Sequence, residues 1–208
     1  MKRSLPTLMA LDLVHTPDHE LVAHACSGSE GAYRELLGRY QRPVFSLVYR
    51  MVRDREQAED LAQETFVKVF NNIERYDPQY KFSSWIFKIA SNLAIDHLRR
   101  KELQTVSLDG SRMAQTAEEV EASRISVASD DETPEEALEA KELGAEIERA
   151  IGKLRPEYRT AILLRHVEGR PYEEIAVIMG IPLGTVKTFI HRARLELREA
   201  LAHLRAEC

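Results

Sequence analysis

Apolar residues recur along this chain at steps of three and four, and no stretch shows sustained alternation. That period belongs to helices that bury one face. In DREQAEDLAQETFVKVFNNIERY, Ala58, Leu61, Ala62, Thr65, Phe66, Val69, Phe70 and Ile73 form one stripe. Glu56, Glu59, Asp60, Gln63, Glu64 and Lys68 take the opposite face. Asp54 is placed to cap this helix, with Gln57 three residues on as its capping-box partner. A helix over about residues 31–52 precedes it, bringing Tyr33, Leu36, Leu37, Tyr40, Val44, Phe45 and Val48. Another over about residues 83–101 follows, with Trp85, Ile86, Ile89, Ala90, Leu93 and Leu98. Three such helices can close into a bundle.

The period returns downstream. A helix over about residues 134–154 leads into PEYRTAILLRHVEG, where Pro156 suits a first turn and Gly169 a stop. YEEIAVIMGIPLGTVKTFIHRARLELREALAHL then reads as a short helix, a turn at Gly180-Ile181-Pro182 and a long helix. Ala176 is small enough for two helices to cross closely, Gly180 accepts a positive φ, and Val186 packs the second helix on the first. This combination predicts a helix-turn-helix.

Composition supports an all-α class: Gly and Pro are few, at 9 and 8 of 208 residues, and Ala, Leu, Glu and Arg abound. The net charge of −5 argues at first against a nucleic-acid partner. Its distribution changes that picture. Residues 21–103 carry 13 basic and 11 acidic side chains and residues 142–208 carry 11 and 10, whereas residues 104–141 carry 3 and 10. Two near-neutral helical domains therefore flank an acidic segment whose Ser, Thr, Ala and Glu lack an apolar period, the mark of a flexible linker. The expected divisions are an N-terminal extension over 1–20, a first domain over 21–103, a linker over 104–134, a second domain over 135–204 and a tail over 205–208. One or two helical turns over 114–122 are compatible with the linker.

Cys26 and Cys208 make no disulfide framework, which fits a reducing cytoplasm. Lys2 and Arg3 precede apolar residues, but Pro6 and Asp12 break the run and no cleavage site follows, so no signal peptide or membrane insertion is expected. His15, His19, His24 and Cys26 are close together but lack zinc-site spacing, and a mobile polar arm is the simpler reading. There is no Gly-rich phosphate loop, His-Glu-x-x-His pair or Gly-x-Ser-x-Gly elbow. No catalytic residue, metal or cofactor is expected.

Two surfaces carry candidate chemistry. On the second helix of the helix-turn-helix, Thr185, Lys187, Thr188, His191, Arg192 and Arg194 lie near the N-terminus, where such a helix enters the major groove. No acidic residue interrupts them before Glu196. Lys187 and Arg192 suit guanine or phosphate, and Thr188 and His191 suit base edges or phosphate. Upstream, Tyr76, Tyr80, Phe82, Trp85 and Phe87 crowd a loop and helix start among Arg75, Lys81 and Lys88, with Arg99, Arg100 and Lys101 beyond. Rings beside cations suit single-stranded DNA, where bases stack and phosphates need charge. Asn92 follows Trp85 by two turns, so its amide suits an extruded base. For Trp85, core and contact readings stand equal; Tyr80 and Phe82 in a polar loop favour contact. A duplex-only regulator would need neither this loop nor the acidic Asp60 face, and a purely helical adaptor would not need the basic reading helix.

Together, AYRELLGRYQRPVFSLVYRMVRDREQAEDLAQETFVKVF, FSSWIFKIASNLAIDHLRRK and RAIGKLRPEYRTAILLRHVEGRPYEEIAVIMGIPLGTVKTFIHRARLELREAL resemble the extracytoplasmic-function group of bacterial RNA polymerase sigma factors. The resemblance covers most of the chain, in the family's order. It implies that Asp60, Gln63, Glu64 and Phe66 dock a coiled coil of the polymerase β′ subunit. It also implies that the loop from Tyr76 to Phe82 and the helix bearing Asn92 recognise the −10 element, including an extruded base. The helix bearing Lys187, Thr188, His191 and Arg192 would read the −35 element, and its domain would also contact the β flap. A separate anti-sigma factor would mask the two domains in the bacterial cytoplasm, or hold them at the membrane. The chain departs from the family in its longer extension before Glu20, its longer linker, and Phe189, where a polar or basic residue is usual.

Overall fold

Side-chain caps at Ser29 and Asp54 and left-handed stops at Arg53 and Gly180 fix several of the helix ends. The computed structural model describes residues 13–108 and 134–205, which form eight α-helices and two short 3₁₀ turns without a strand among the described residues. Helix α1 spans Asp18–Cys26, α2 Glu30–Val52, α3 Arg55–Asn71 and α4 Phe82–Leu108. Ser29 caps α2 by accepting from the Ala32 N–H, and α2 stops at Arg53 in the left-handed region (φ 58°). Asp54 caps α3 as its sequence predicts: Oδ1 accepts from the Gln57 N–H at 3.1 Å and Oδ2 from the Gln57 side chain at 2.7 Å. The capping-box partner thus bonds the cap's carboxylate rather than its backbone.

One element differs from its sequence reading. The stretch holding His15, His19, His24 and Cys26, expected as a mobile arm, contains α1, which buries Leu21, Val22 and Ala25 against α2. Helix α4 runs to Leu108, inside the segment expected as linker, and any turn over 114–122 lies outside the described residues.

The C-terminal half comprises α5 (Pro134–Lys153), α6 (Pro156–His166), α7 (Tyr172–Met179) and α8 (Leu183–Ala200). Pro156 opens α6. Gly180 ends α7 at φ 65°, and the axes of α7 and α8 differ by 102°, the crossing expected of a helix-turn-helix. Ile175, Ile178, Val186, Ile190 and Ala193 fill the angle between them.

The two halves pack on each other, and their buried residues form one continuous cluster. Helix α4 lies against α7, and α2 against α5 and α6. Arg159 in α6 is 8% exposed and donates to the carbonyls of Met51, Gly152 and Leu154, so one guanidinium caps the C-terminal ends of both α2 and α5. Burial, and the charge of Arg53, depress its pKa to about 10. Arg50 and Arg53 reach the Glu148 carboxylate and carbonyl across the same seam.

Candidate nucleic-acid and polymerase interfaces

The first surface is the outward face of α3. Asp60, Gln63 and Glu64 are exposed there, and Lys68 pairs with Glu64 at 3.2 Å. Val67 stands among them, 57% exposed. The apolar stripe of α3 does not include it, yet its spacing of seven from Asp60 and three from Glu64 already puts it on the polar face. Phe66 corrects an expectation. It is 8% exposed, 5.9 Å from the Phe70 ring, and so supports this face from beneath instead of forming it.

The second surface joins the loop over 76–81 to α4. The Tyr76 hydroxyl donates to the Tyr80 carbonyl at 2.6 Å, and the Gln79 N–H donates to Asp77 at 2.9 Å, which shapes the loop. Tyr80 is half-exposed and Lys81 exposed. Phe82 is corrected to a core residue. As the first residue of α4 it turns inward, 1% exposed, with the rings of Tyr40, Tyr76 and Trp85 at 5.3, 5.6 and 5.8 Å. Trp85 is partly buried at the rim of this cluster, packed against the core with part of its ring left accessible. Lys88, Asn92, Arg99 and Arg100 are exposed along α4. A cavity of about 330 Å³ opens beside the loop, bounded by the loop, by the start of α4 and by α1.

The third surface is α8. Val186, Ile190 and Ala193 are buried, Thr185 is partly so, and Lys187, Thr188, His191, Arg192 and Arg194 are exposed. The Thr188 hydroxyl donates back to the Gly184 carbonyl at 3.0 Å. Arg194 lies 3.2 Å from His166, whose imidazole is held below its ordinary pKa by burial and by the charges of Arg194 and Arg165. Phe189 is half-buried with its ring 5.2 Å from Tyr158, and Arg192 donates to the Tyr158 hydroxyl at 3.2 Å.

The second and third surfaces face each other. Asn92 and Arg99 of α4, Glu157 and Tyr158 of α6, and Phe189 and Arg192 of α8 line one cleft of about 510 Å³ between the halves. Arg99 donates to Glu157 at 2.7 Å. Nearby, Glu174 of α7 accepts from Lys81 at 3.1 Å, from Ser84 at 3.0 Å and from Arg170 at 2.8 Å, and Arg170 also reaches Ser83 at 3.1 Å over the Phe87 ring. Cations on both candidate DNA surfaces are therefore engaged within the chain.

Comparison with known proteins places this arrangement. The Sigma-70 region 2 family profile matches residues 36–103, and that of Sigma-70, region 4 matches residues 144–197. The chain is 38% identical to the ECF RNA polymerase sigma factor SigW of Bacillus subtilis over 183 residues, spanning 85% of this chain and 92% of that protein. It is 34% identical to the RNA polymerase sigma-H factor of Pseudomonas aeruginosa over 195 residues, spanning 94% and 99%. The fold is shared with CnrH, solved in complex with the cytosolic domain of CnrY, at a TM-score of 0.63, 23% identity and coverage of 92% and 99%. It is shared with RpoE of Bartonella quintana, solved in complex with the anti-sigma factor NepR, at 0.61, 22% and coverage of 82% and 96%. With both regions matched in order and its sequence aligned along nearly the whole length of these relatives, the chain belongs to the extracytoplasmic-function group of sigma-70 family RNA polymerase sigma factors.

Proposed function

We propose that the α3 face carrying Asp60, Gln63, Glu64 and Val67 docks the β′ coiled coil of core polymerase, and that the two remaining surfaces then divide the promoter between them. Tyr80, Lys81, Lys88, Asn92, Arg99 and Arg100 engage the opened −10 element, with Tyr76, Trp85 and buried Phe82 shaping the loop. Thr185, Lys187, Thr188, His191, Arg192 and Arg194 engage the −35 duplex, while the C-terminal half meets the β flap. The chain performs no chemistry itself; catalysis stays with the polymerase it directs.

The observation that carries this reading is the exposed apolar Val67 in an acidic helix face, beside a ring-and-cation loop on the same bundle. A regulator that binds duplex DNA alone needs neither. The protein acts in the bacterial cytoplasm, where a separate anti-sigma factor masks its two halves, free or from the membrane. The sigma factor RpoE, which shares this fold, is held in a complex with the anti-sigma factor NepR, and CnrH, of the same fold, with the cytosolic domain of CnrY. Run-off transcription tests the proposal. Core polymerase mixed with the protein should start at defined promoters that neither component selects alone. Specific duplex binding without core, and no start sites with it, would leave an ordinary helix-turn-helix regulator.

A further inference from the structure

The cavity beside the −10 loop is not built by the loop alone. Its lining joins Tyr76, Gln79, Tyr80 and Lys81 to Asp18 and His19 of α1. At about 330 Å³ it lies at the small end of ligand pockets, which run from about 300 to 1,000 Å³, and suits one planar ring better than a peptide segment.

Asp18 is fixed from behind. Arg39 donates to its Oδ1 at 2.8 Å and the Tyr40 hydroxyl to its Oδ2. Arg39 is itself immobilised by Glu35 at 2.8 Å and by the carbonyls of Leu13 and Val14 at 3.0 and 2.8 Å. Tyr40 packs edge-on against Phe82. The carboxylate nevertheless keeps 28% of its surface exposed. A guanidinium N–H and a phenol O–H donate to it, and as a carboxylate it offers further partners acceptors only.

We propose that Asp18 makes this cavity selective for an unpaired base that carries an exocyclic amino group, and against thymine. Adenine, cytosine and guanine each bring an N–H₂ to a carboxylate. Thymine brings carbonyl oxygens on both sides of a single N–H, and these meet a second acceptor. Lys81 lines the same cavity and supplies the cation for a flanking phosphate once it leaves Glu174. The inference rests on the proposed role of the loop in the opened −10 element. It adds a determinant from outside that loop, on helix α1.

The test is transcription by reconstituted holoenzyme from a promoter library randomised through the −10 element, comparing wild type with Asp18→Asn and Tyr40→Phe. Wild type should disfavour thymine at one position by at least about fivefold, the smaller end of the discrimination a good side-chain–base pair provides. Asp18→Asn, whose amide both donates and accepts, should lose that bias at that position alone. Tyr40→Phe keeps the carboxylate and should retain the bias, even if α1 is loosened. A uniform loss of transcription in both variants, with sequence preference intact, would reduce Asp18 to a structural anchor and overturn the proposal. Wild-type holoenzyme without promoter-specific starts would instead overturn the functional reading beneath it.

Discussion

Phe189 lies on α8, the helix proposed to read the −35 element, but packs inward. It faces Tyr158 rather than solvent, and Tyr158 is 4% exposed and also holds Arg192. An apolar ring here ties α8 to α6, where a cation would have served a phosphate. Phe189→Ala should therefore lower unfolding free energy by about 1–3 kcal/mol, less than for a fully buried ring, as measured by denaturant titration. Discrimination among −35 bases in transcription should persist. Loss of that discrimination at unchanged stability would mean that the ring touches DNA. Neighbouring residues show what single positions reveal before folding. Tyr80 and Phe82 look alike in a polar loop, yet one is 50% and the other 1% exposed. The start of α4 falls between them, and helix boundaries are the feature that sequence patterns place least sharply. Val67 had a legible signal in its spacing from Asp60, but neither the apolar stripe nor the polar face named from the sequence includes it.

At the scale of the element, the helices with long apolar stripes were readable because many residues repeat one period. Helix α1 was not: in nine residues only Leu21, Val22 and Ala25 are buried, too few to outvote three nearby histidines. Helix α3 carries the sharpest prediction about its exposed side. Val67→Asp adds a charge where an apolar side chain is 57% exposed, so the melting temperature should hardly change while affinity for core polymerase falls at least about tenfold, as for a small docking hot spot. Competition for core against a second sigma factor measures this, and unchanged affinity would move the docking site off α3. The helix-turn-helix depends on its turn. Gly180 sits at φ 65° with open space around its Cα, so Gly180→Ala costs backbone strain without a clash, about 1 kcal/mol. Denaturant unfolding should register that loss, and a Gly180→Asn variant should recover part of it because Asn tolerates the left-handed region.

The arrangement of the whole molecule could not be read from either half, because it depends on surface groups that meet only after folding. Sequence patterns mark Lys81 and Arg99 as cations for DNA, but nothing in them says that Glu174 and Glu157 occupy those cations first. In this closed form the surfaces proposed for the −10 and −35 elements share a cleft, and the proposed promoter binding would require them to part. The carboxylates give closure a pH dependence. Burial pushes Glu174 up, but hydrogen bonds from Lys81 and Ser84 and the charge of Arg170 outweigh it, leaving the group below its ordinary value. Burial likewise opposes, and the Arg99 bond outweighs it, at Glu157. Groups with depressed values stabilise the closed form above their ordinary pKa near 4.5, and that contribution fades as pH falls through the lowered values. Dyes attached to the two halves should therefore report a constant separation from neutral pH down to about 5 and an increase below it. Glu174→Gln should part the halves already at neutral pH, because the amide cannot neutralise Lys81 and Arg170 together, and it should raise affinity for single-stranded −10 oligonucleotides by freeing Lys81. If Glu174→Gln leaves both the separation and the affinity unchanged, closure rests on the apolar seam and on Arg159, and the charge cluster merely follows it.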